Sequence, residues 1–291
     1  MSEWVEGAEL ARGATSVVRR GRVGEVVKLV DPAIPDVLAR NEAAASRLAT
    51  AAGLPVPRLV AERLGADGAD RADGADRADG AGGAALTFES VDAAPLPDTP
   101  LAADPAAVGS LLGRLQHAIR AVAPAGVFAA EDFFGYQLAQ APAPPALRAA
   151  AAADLAALCD HAVPRVLCHM DLHPRNVLWN GAATVIDWSN AMAAPAAADV
   201  ARTRLLLESI PHHVAPDPAV GAWVAAALEA YLATTEALAG GLVGASRSWD
   251  RVIAVARLDE HPPPMERARL LALHGAGPGE GHGAGPGPLG W

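Results

Sequence analysis

The sequence predicts an α+β protein of two lobes, a small β-rich lobe followed by a larger helical one. Three observations predict it. Residues 7–30 are rich in apolar and β-branched side chains (Val17, Val18, Val23, Val26, Val27, Leu29, Val30), broken by Gly13, Gly21 and Gly24. From about Asp104 onward the composition changes to long Ala/Leu stretches of high helix propensity. Between those stretches a short strand pair is embedded at 166–187. Strands first, helices later and one embedded strand pair imply two lobes with a cleft between them.

The elements follow in order. A helix is expected from about Asp36 to Ala52, with Pro35 just before it and Gly53 and Pro55 closing it. Leu38, Glu42, Ala45 and Ala49 fall near one face of that helix. Pro57 to Leu64 returns as an extended segment, and Leu86 to Val91 is the next strand. Between them, residues 65–83 repeat Arg-Ala-Asp-Gly-Ala-Asp units. The unit is too short for a solenoid and has almost nothing to bury, so it reads as a mobile loop. If the flanking strands pair, the repeat is an expanded hairpin tip, which costs little stability.

Further helices are expected at 104–122, 145–160, 197–209, 217–240 and 246–258. Asp104 followed by Pro105 starts the first, a capping carboxylate and then a proline in the first turn. The apolar run from Ala219 to Leu228 stops at Glu229 and reads as part of a buried helix. The Gly- and Pro-rich stretch 274–291 reads as a disordered tail. The expected division is therefore 1–91 for the small lobe with its insert at 65–83, 92–273 for the helical lobe, and 274–291 for the tail.

Composition excludes some functions. The 291 residues carry a formal charge of −10, which argues against nucleic-acid binding, since that needs a basic patch to displace counterions. The acidity is weakly compatible with a cationic substrate. However, the repeat contributes five aspartates against two arginines, and it need not lie near any site. Two cysteines, Cys159 and Cys168, make neither a metal cluster nor a disulfide framework, and a reduced, cytoplasmic setting is expected. The first residues lack a signal-peptide pattern, and no uncharged apolar run reaches the roughly 18 residues needed to cross a bilayer.

The chemistry is concentrated in His169-Met-Asp-Leu-His-Pro-Arg-Asn176 and Ile186-Asp187-Trp188. Val177–Trp179 and Thr184–Ile186 are short strands around Asn180-Gly181, a strong hairpin signal. Reversal there brings Asn176 and Asp187 to the open end. With a four-residue loop they face each other, about 5 Å apart at Cβ; with a two-residue loop they are offset by a residue or two. One amide oxygen and one carboxylate suit Mg²⁺, which keeps waters and takes further ligands from substrate phosphates. Asp171, five residues before Asn176, can orient a hydroxyl and accept its proton beside the metal.

The pattern His169-x-Asp171-x-His173-Pro174-x-Asn176 followed by Ile186-Asp187-Trp188 resembles the aminoglycoside phosphotransferase and choline kinase superfamily, small-molecule relatives of the protein kinases. The resemblance spans roughly residues 5–270 and implies a two-lobed protein-kinase-like fold. It implies a phosphotransferase that uses ATP (or GTP) with Mg²⁺ to phosphorylate a hydroxyl of a small-molecule acceptor, working as a monomer or weak dimer. The alternative is a catalytically inactive nucleotide-binding regulator of the same fold.

By the same resemblance Asp171 is the catalytic base, Asn176 and Asp187 the metal ligands, and His169 a packing support. His173 stands where Ser/Thr kinases place a lysine near the transferred phosphate, and reads equally well as a supporting or solvent-facing residue. Met170 departs from the glycine these enzymes often have. Lys28 and Glu42 resemble the phosphate-reaching lysine and its ion-pair partner. The turn Arg12–Val17, with Gly13 and Ser16, stands where a phosphate-covering loop belongs. Phe88 and Ser90 are expected to pair their backbones with the purine edge. Asp199 resembles a residue bracing the catalytic loop. Asp92, Asp132 and the Asp259-Glu260 pair could line an acceptor pocket, but read first as solvated positions. His117, His161, His212 and His213 read as surface or packing residues, and Cys168 as buried rather than nucleophilic.

Overall fold

The β-branched run from Ser16 to Val30 folds into two strands of a five-stranded antiparallel sheet, in a computed structural model that describes residues 7–13, 15–64, 83–160, 163–214 and 217–273. Strands β1 (Glu9–Arg12), β2 (Ser16–Arg20), β3 (Glu25–Val30), β4 (Leu59–Arg63) and β5 (Ala85–Glu89) lie in the order β1-β2-β3-β5-β4. Gly24, at φ 81°, makes the turn from β2 into β3. Because side chains alternate, Val18, Lys28 and Leu86 form one cross-strand row and Val17, Leu29 and Ala85 the next, on the opposite face. Strands β4 and β5 pair antiparallel, so the repeat is inserted between paired strands. Apart from Gly83, the expected mobile loop at 65–83 lies outside the described residues, as does the tail at 274–291.

Helix α1 (Asp36–Ala51) buries Ala39, Glu42, Ala43, Ala45, Ser46 and Ala49. The face is narrower in volume than expected, because alanines allow close approach and Leu38 is left at its margin. Asn41 also points inward and donates to the carbonyls of Ala191 (2.8 Å) and Ser189 (3.1 Å), while its Oδ1 accepts from the Phe128 N–H (2.8 Å). One side chain of the small lobe thus fastens α1 to the helical part.

The helical part contains α2 (Pro105–Ile119), α3 (Ala130–Gln140), α4 (Pro145–Leu158), α5 (Ala196–Ser209), α6 (Pro218–Leu238), α7 (Leu242–Ser246), α8 (Asp250–Ala256) and α9 (Pro264–Ala272). Asp104 caps α2 by accepting from the Ala107 N–H at 3.0 Å. The sequence reading did not anticipate α3 or α9. The single helix expected at 246–258 is broken by 3₁₀ turns at 247–249 and 257–260, where buried Trp249 turns in to pack against Phe134. Ala219–Leu228 is not a buried helix: α6 buries only Val224, Ala227, Tyr231 and Thr235. Its other alanines are helix formers whose small side chains carry little penalty at the surface.

Helices α2 and α6 meet at a glycine contact. A Cβ on Gly109 would lie 1.9 Å from the Ala227 carbonyl oxygen. Gly109→Ala should therefore separate the helices and lower stability by about 1–3 kcal/mol. Thermal or denaturant unfolding measures this, and an unchanged midpoint would refute the close approach.

Two small sheets complete the fold. Strands β6 (Ala94–Pro95), β9 (Val177–Trp179) and β10 (Ala183–Val185) form one, and β7 (Phe128–Ala129), β8 (Val166–Cys168) and β11 (Met192–Ala194) the other. One core cluster gathers Phe134, Leu147, Trp249 and Ile253. A second joins Ala45 and Ala49 of α1 to Leu112, Leu172, Val177, Val185 and Trp188, so apolar packing also connects the small lobe to the β9–β10 hairpin. Among the described residues no helix is long and apolar enough to cross a membrane.

Candidate active site

The site grows from the β9–β10 hairpin. Val177 pairs with Val185 and Trp179 with Ala183, leaving a three-residue loop Asn180-Gly181-Ala182, with Gly181 at φ 105°. The loop falls between the two lengths considered from sequence. The Ile186 N–H donates to the Asn176 carbonyl at 3.0 Å, so Asp187 stands one residue beyond direct opposition to Asn176. Both residues remain at the hairpin mouth.

Asp171 is tied to Asn176. The Asn176 amide nitrogen donates to the Asp171 carbonyl (2.9 Å) and to its Oδ2 (3.0 Å), which turns the amide oxygen away from this pair. His173 Nε2 lies 3.7 Å from Asp171 Oδ2, and Arg202 lies 3.8 Å from Oδ1. Burial opposes ionisation of Asp171, but these two neighbours hold its carboxyl well below the usual carboxylate range.

His169 is fully buried beneath the loop. Its Nδ1 accepts from the Asp171 N–H (3.2 Å), so the ring proton sits on Nε2 and faces the Ile186 carbonyl (3.1 Å). Burial lowers its pKa to about 4, and the ring packs on Trp188 at 4.7 Å. A neutral imidazole therefore joins the two halves of the hairpin mouth.

Met170, at φ 61°, adopts a left-handed conformation that favours glycine. Both sides of this residue are held from α5. Its N–H donates to Asp199 Oδ1 at 2.8 Å, and its carbonyl accepts from Arg202 Nε at 3.0 Å. Burial raises Asp199 to a pKa of about 6. These contacts explain how a methionine is tolerated in a backbone conformation that favours glycine.

Lys28 enters from β3. Its Nζ donates to both Glu42 oxygens (2.9 and 2.8 Å) and to Asp187 Oδ1 (2.8 Å). Burial disfavours the ammonium, but Asp187 and Glu42 more than compensate, and the Lys28 pKa is raised. Burial raises Glu42, while Lys28 acts in the opposite direction. Burial also opposes ionisation of Asp187, yet Lys28 brings its pKa below the usual value. Ser189 Oγ shares Asp187 Oδ1 at 2.7 Å. No hydrogen bond reaches Oδ2 among the described residues. That oxygen and the Asn176 amide oxygen are each of the hard type that a divalent cation takes. Among the described residues no group of three or more His, Cys, Asp or Glu side chains is arranged to hold a metal. The remaining ligands of such a cation would be phosphate oxygens and water.

Other expectations are corrected. Ser90 donates its N–H to the Gly24 carbonyl at 2.8 Å, so that amide is not available to a purine. Phe88 lies within the ladder opposite Val26, and its backbone is directed into the sheet. The Gly13 N–H is likewise spent, on the Ser16 carbonyl at 2.9 Å. A Cβ at Gly13 would meet nothing closer than 3.8 Å, so the position does not require glycine. Gly13 and Ser16 line a cavity of about 360 Å³ with Arg12, Arg19 and Arg63, which no residue of the 169–176 loop borders. Ser16 does share the sheet face of Val18 and Lys28 by alternation.

Glu260, expected to be solvated, contacts Arg202 at 2.7 Å. His213 pairs with Glu266 at 2.6 Å. Cys168 is buried, with its thiol raised by burial and donating to the Ala194 carbonyl at 3.6 Å. Sequence reasoning missed Arg202, Asn41 and Ser189. Arg202 had one signal: it stands three residues after Asp199, on the same helix face.

Comparison with known proteins bears on the family and the fold. A family model described as the phosphotransferase enzyme family matches residues 6–241. No curated protein matches the sequence significantly. An aminoglycoside phosphotransferase from Streptomyces rimosus is similar in structure, at 18% identity and TM-score 0.55, over 87% of this chain and 93% of the other. A choline/ethanolamine kinase family protein from Mesorhizobium loti aligns at 17% identity and TM-score 0.54, over 94% and 89%. An amicoumacin kinase in complex with AMP-PNP, Ca²⁺ and Ami aligns at 17% identity and TM-score 0.55, over 91% and 86%. At these identities the likeness establishes the two-lobed, kinase-like α+β fold.

Proposed function

The chain belongs to the phosphotransferase enzyme family, and we propose that it moves the γ-phosphate of ATP or GTP to a hydroxyl of a small molecule. The observation that carries the reading is the convergence of Asp171, Asn176 and Asp187 at one hairpin mouth, with Lys28 reaching Asp187 from the other lobe. Phosphoryl transfer asks a protein mainly for placement and for positive charge near the phosphates. Lys28, held between Glu42 and Asp187, would meet the nucleotide phosphates. Asn176 Oδ1 and Asp187 Oδ2 would hold Mg²⁺, which supplies charge neutralisation at the phosphate oxygens when bound. Asp171 orients the acceptor hydroxyl and takes its proton, and His173 Nε2 is the neighbouring donor toward the transferred group.

We assign the purine edge to the Val91 N–H rather than to Phe88 or Ser90; the Val91 carbonyl already accepts from the Ala93 N–H at 3.0 Å. Alternate residues of a strand direct their N–H groups to opposite sides. The Glu89 N–H reaches Arg58 beyond the start of β4, so Val91 is the next to point that way, past the end of the ladder.

The acceptor is tested by a phosphate-transfer screen with both nucleotides, with and without Mg²⁺. It would cover aminoglycosides, macrolides, choline-like alcohols, homoserine and sugar amines. Mg²⁺-dependent transfer to one class is the expected outcome. Mg²⁺-dependent nucleotide binding without transfer to any acceptor would instead favour a non-catalytic regulator, and the complete absence of nucleotide binding would end the proposal.

A further inference from the structure

Arg202 is a buried cation that the reaction scheme above does not use. It projects from α5 with a side chain only 5% exposed. Its Nε donates to the Met170 carbonyl at 3.0 Å. One terminal nitrogen lies 2.7 Å from Glu260 Oε1 and 3.8 Å from Asp171 Oδ1. The charges continue beyond this pair. Glu260 Oε2 is 3.4 Å from Arg257, Arg257 binds Glu266 Oε1, and Glu266 Oε2 is 2.6 Å from His213. Glu266 lies on α9, so a line of alternating charges runs from the catalytic loop to the last described helix.

We propose that Arg202 is a positioning residue for phosphoryl transfer, and that Glu260 and Arg257 fix it against α9. The inference rests on Asp171 acting as the base. A non-glycine residue in the left-handed region is strained and persists only where its surroundings over-determine it. Here Asp199 holds the N–H of Met170 and Arg202 holds its carbonyl, from positions three residues apart on α5. The peptide they hold leads directly into Asp171. The same guanidinium faces the Asp171 carboxylate, so it sets both the backbone from which the base projects and the direction of its Oδ1. Glu260 keeps Arg202 from collapsing onto Asp171 as a close ion pair, which would occupy the oxygen needed for the acceptor hydroxyl.

The test uses the full chain with Arg202→Gln, Arg202→Lys and Glu260→Gln. It reads inorganic phosphate released from Mg·ATP with water as acceptor, together with hydrogen exchange of the 168–176 segment. A misplacement near 1 Å costs about 10²-fold in rate. Arg202→Gln should therefore lower kcat by roughly 30- to 100-fold, with the KM for Mg·ATP within about twofold of wild type. Arg202→Lys, which restores the charge but not the fork, should recover part of the loss. In an Asp171→Asn background Arg202→Gln should cost little more, because coupled residues are not additive.

Exchange in 168–176 should quicken several-fold in Arg202→Gln and Glu260→Gln while α2 is unchanged. This readout needs no turnover, and Glu260, one-third exposed, is the variant that keeps its fold if Arg202→Gln does not. Undisturbed exchange in 168–176, or a folded Arg202→Gln with wild-type kcat beside a disabled Asp171→Asn, overturns the inference alone. An Asp171→Asn enzyme with wild-type phosphate release overturns the assignment of the base, and this inference with it.

Discussion

Asp171→Asn is expected to lower kcat for phosphoryl transfer by about 10²- to 10⁴-fold, the range that a positioned acid–base group contributes. Binding of the Mg²⁺–nucleotide should change little. The substitution keeps the shape of the side chain. It also keeps one oxygen to accept from Asn176, whose amide now donates to Asp171 Oδ2 at 3.0 Å. It removes the negative charge that faces His173 and Arg202. Single-turnover kinetics separates the two effects: the chemical step should slow while nucleotide affinity holds. A wild-type rate would mean that another group receives the proton.

On the proposed assignment of Asp171 as the base, its electrostatics say what kind of base it would be. His173 and Arg202 overcome its burial and keep it ionised far below neutral pH. A carboxylate stabilised in this way is a weak base. That suits a loose transition state, in which the acceptor hydroxyl loses its proton late and its alignment matters more than its deprotonation. Alignment is also what the surrounding bonds supply. Asn176 holds the carboxylate, His169 holds the Asp171 N–H, and Met170 is held on both sides.

Local chemistry in this chain was legible from sequence, and long-range pairing was not. The spacing from His169 to Asn176 could be read because all its members lie on one short loop, and Asn180-Gly181 announced the reversal. Asp104-Pro105 gave the start of α2 correctly for the same reason. The backbone partners of Ser90 and Gly13 depend on strand register across the sheet, and nothing near those residues reveals it. Arg202 and Glu260 are 58 positions apart, and only the meeting of α5 with the 257–260 turn pairs them. The alternating Phe, polar and alanine residues of α3 give only a weak helical stripe. The break in the helix expected at 246–258 comes from the packing of Trp249, which composition does not report.

Lys28→Met should be the most destabilising substitution in the site. Lys28 is 8% exposed and Glu42 only 3%, and Lys28 is shared between two carboxylates of different lobes. Removing one partner of a buried pair leaves an uncompensated charge, at a cost of about 3–5 kcal/mol. Most of it should come from Glu42, because the Asp187 side chain, 39% exposed, can draw on water. The sign of the pH dependence follows. Burial already raises Glu42, and without Lys28 the opposing influence is gone, so its folded pKa rises further above the unfolded one. A carboxyl shifted in that direction favours the folded state most when protonated. The deficit of the variant should therefore be greatest at neutral pH and above, and should shrink as pH falls toward the ordinary glutamate range. Denaturant unfolding of both proteins at several pH values measures it, and Glu42→Gln in the Lys28→Met background should recover much of the loss. Equal stability of Lys28→Met and wild type at neutral pH would mean that the two lobes do not depend on this ammonium to hold Glu42 and Asp187 together.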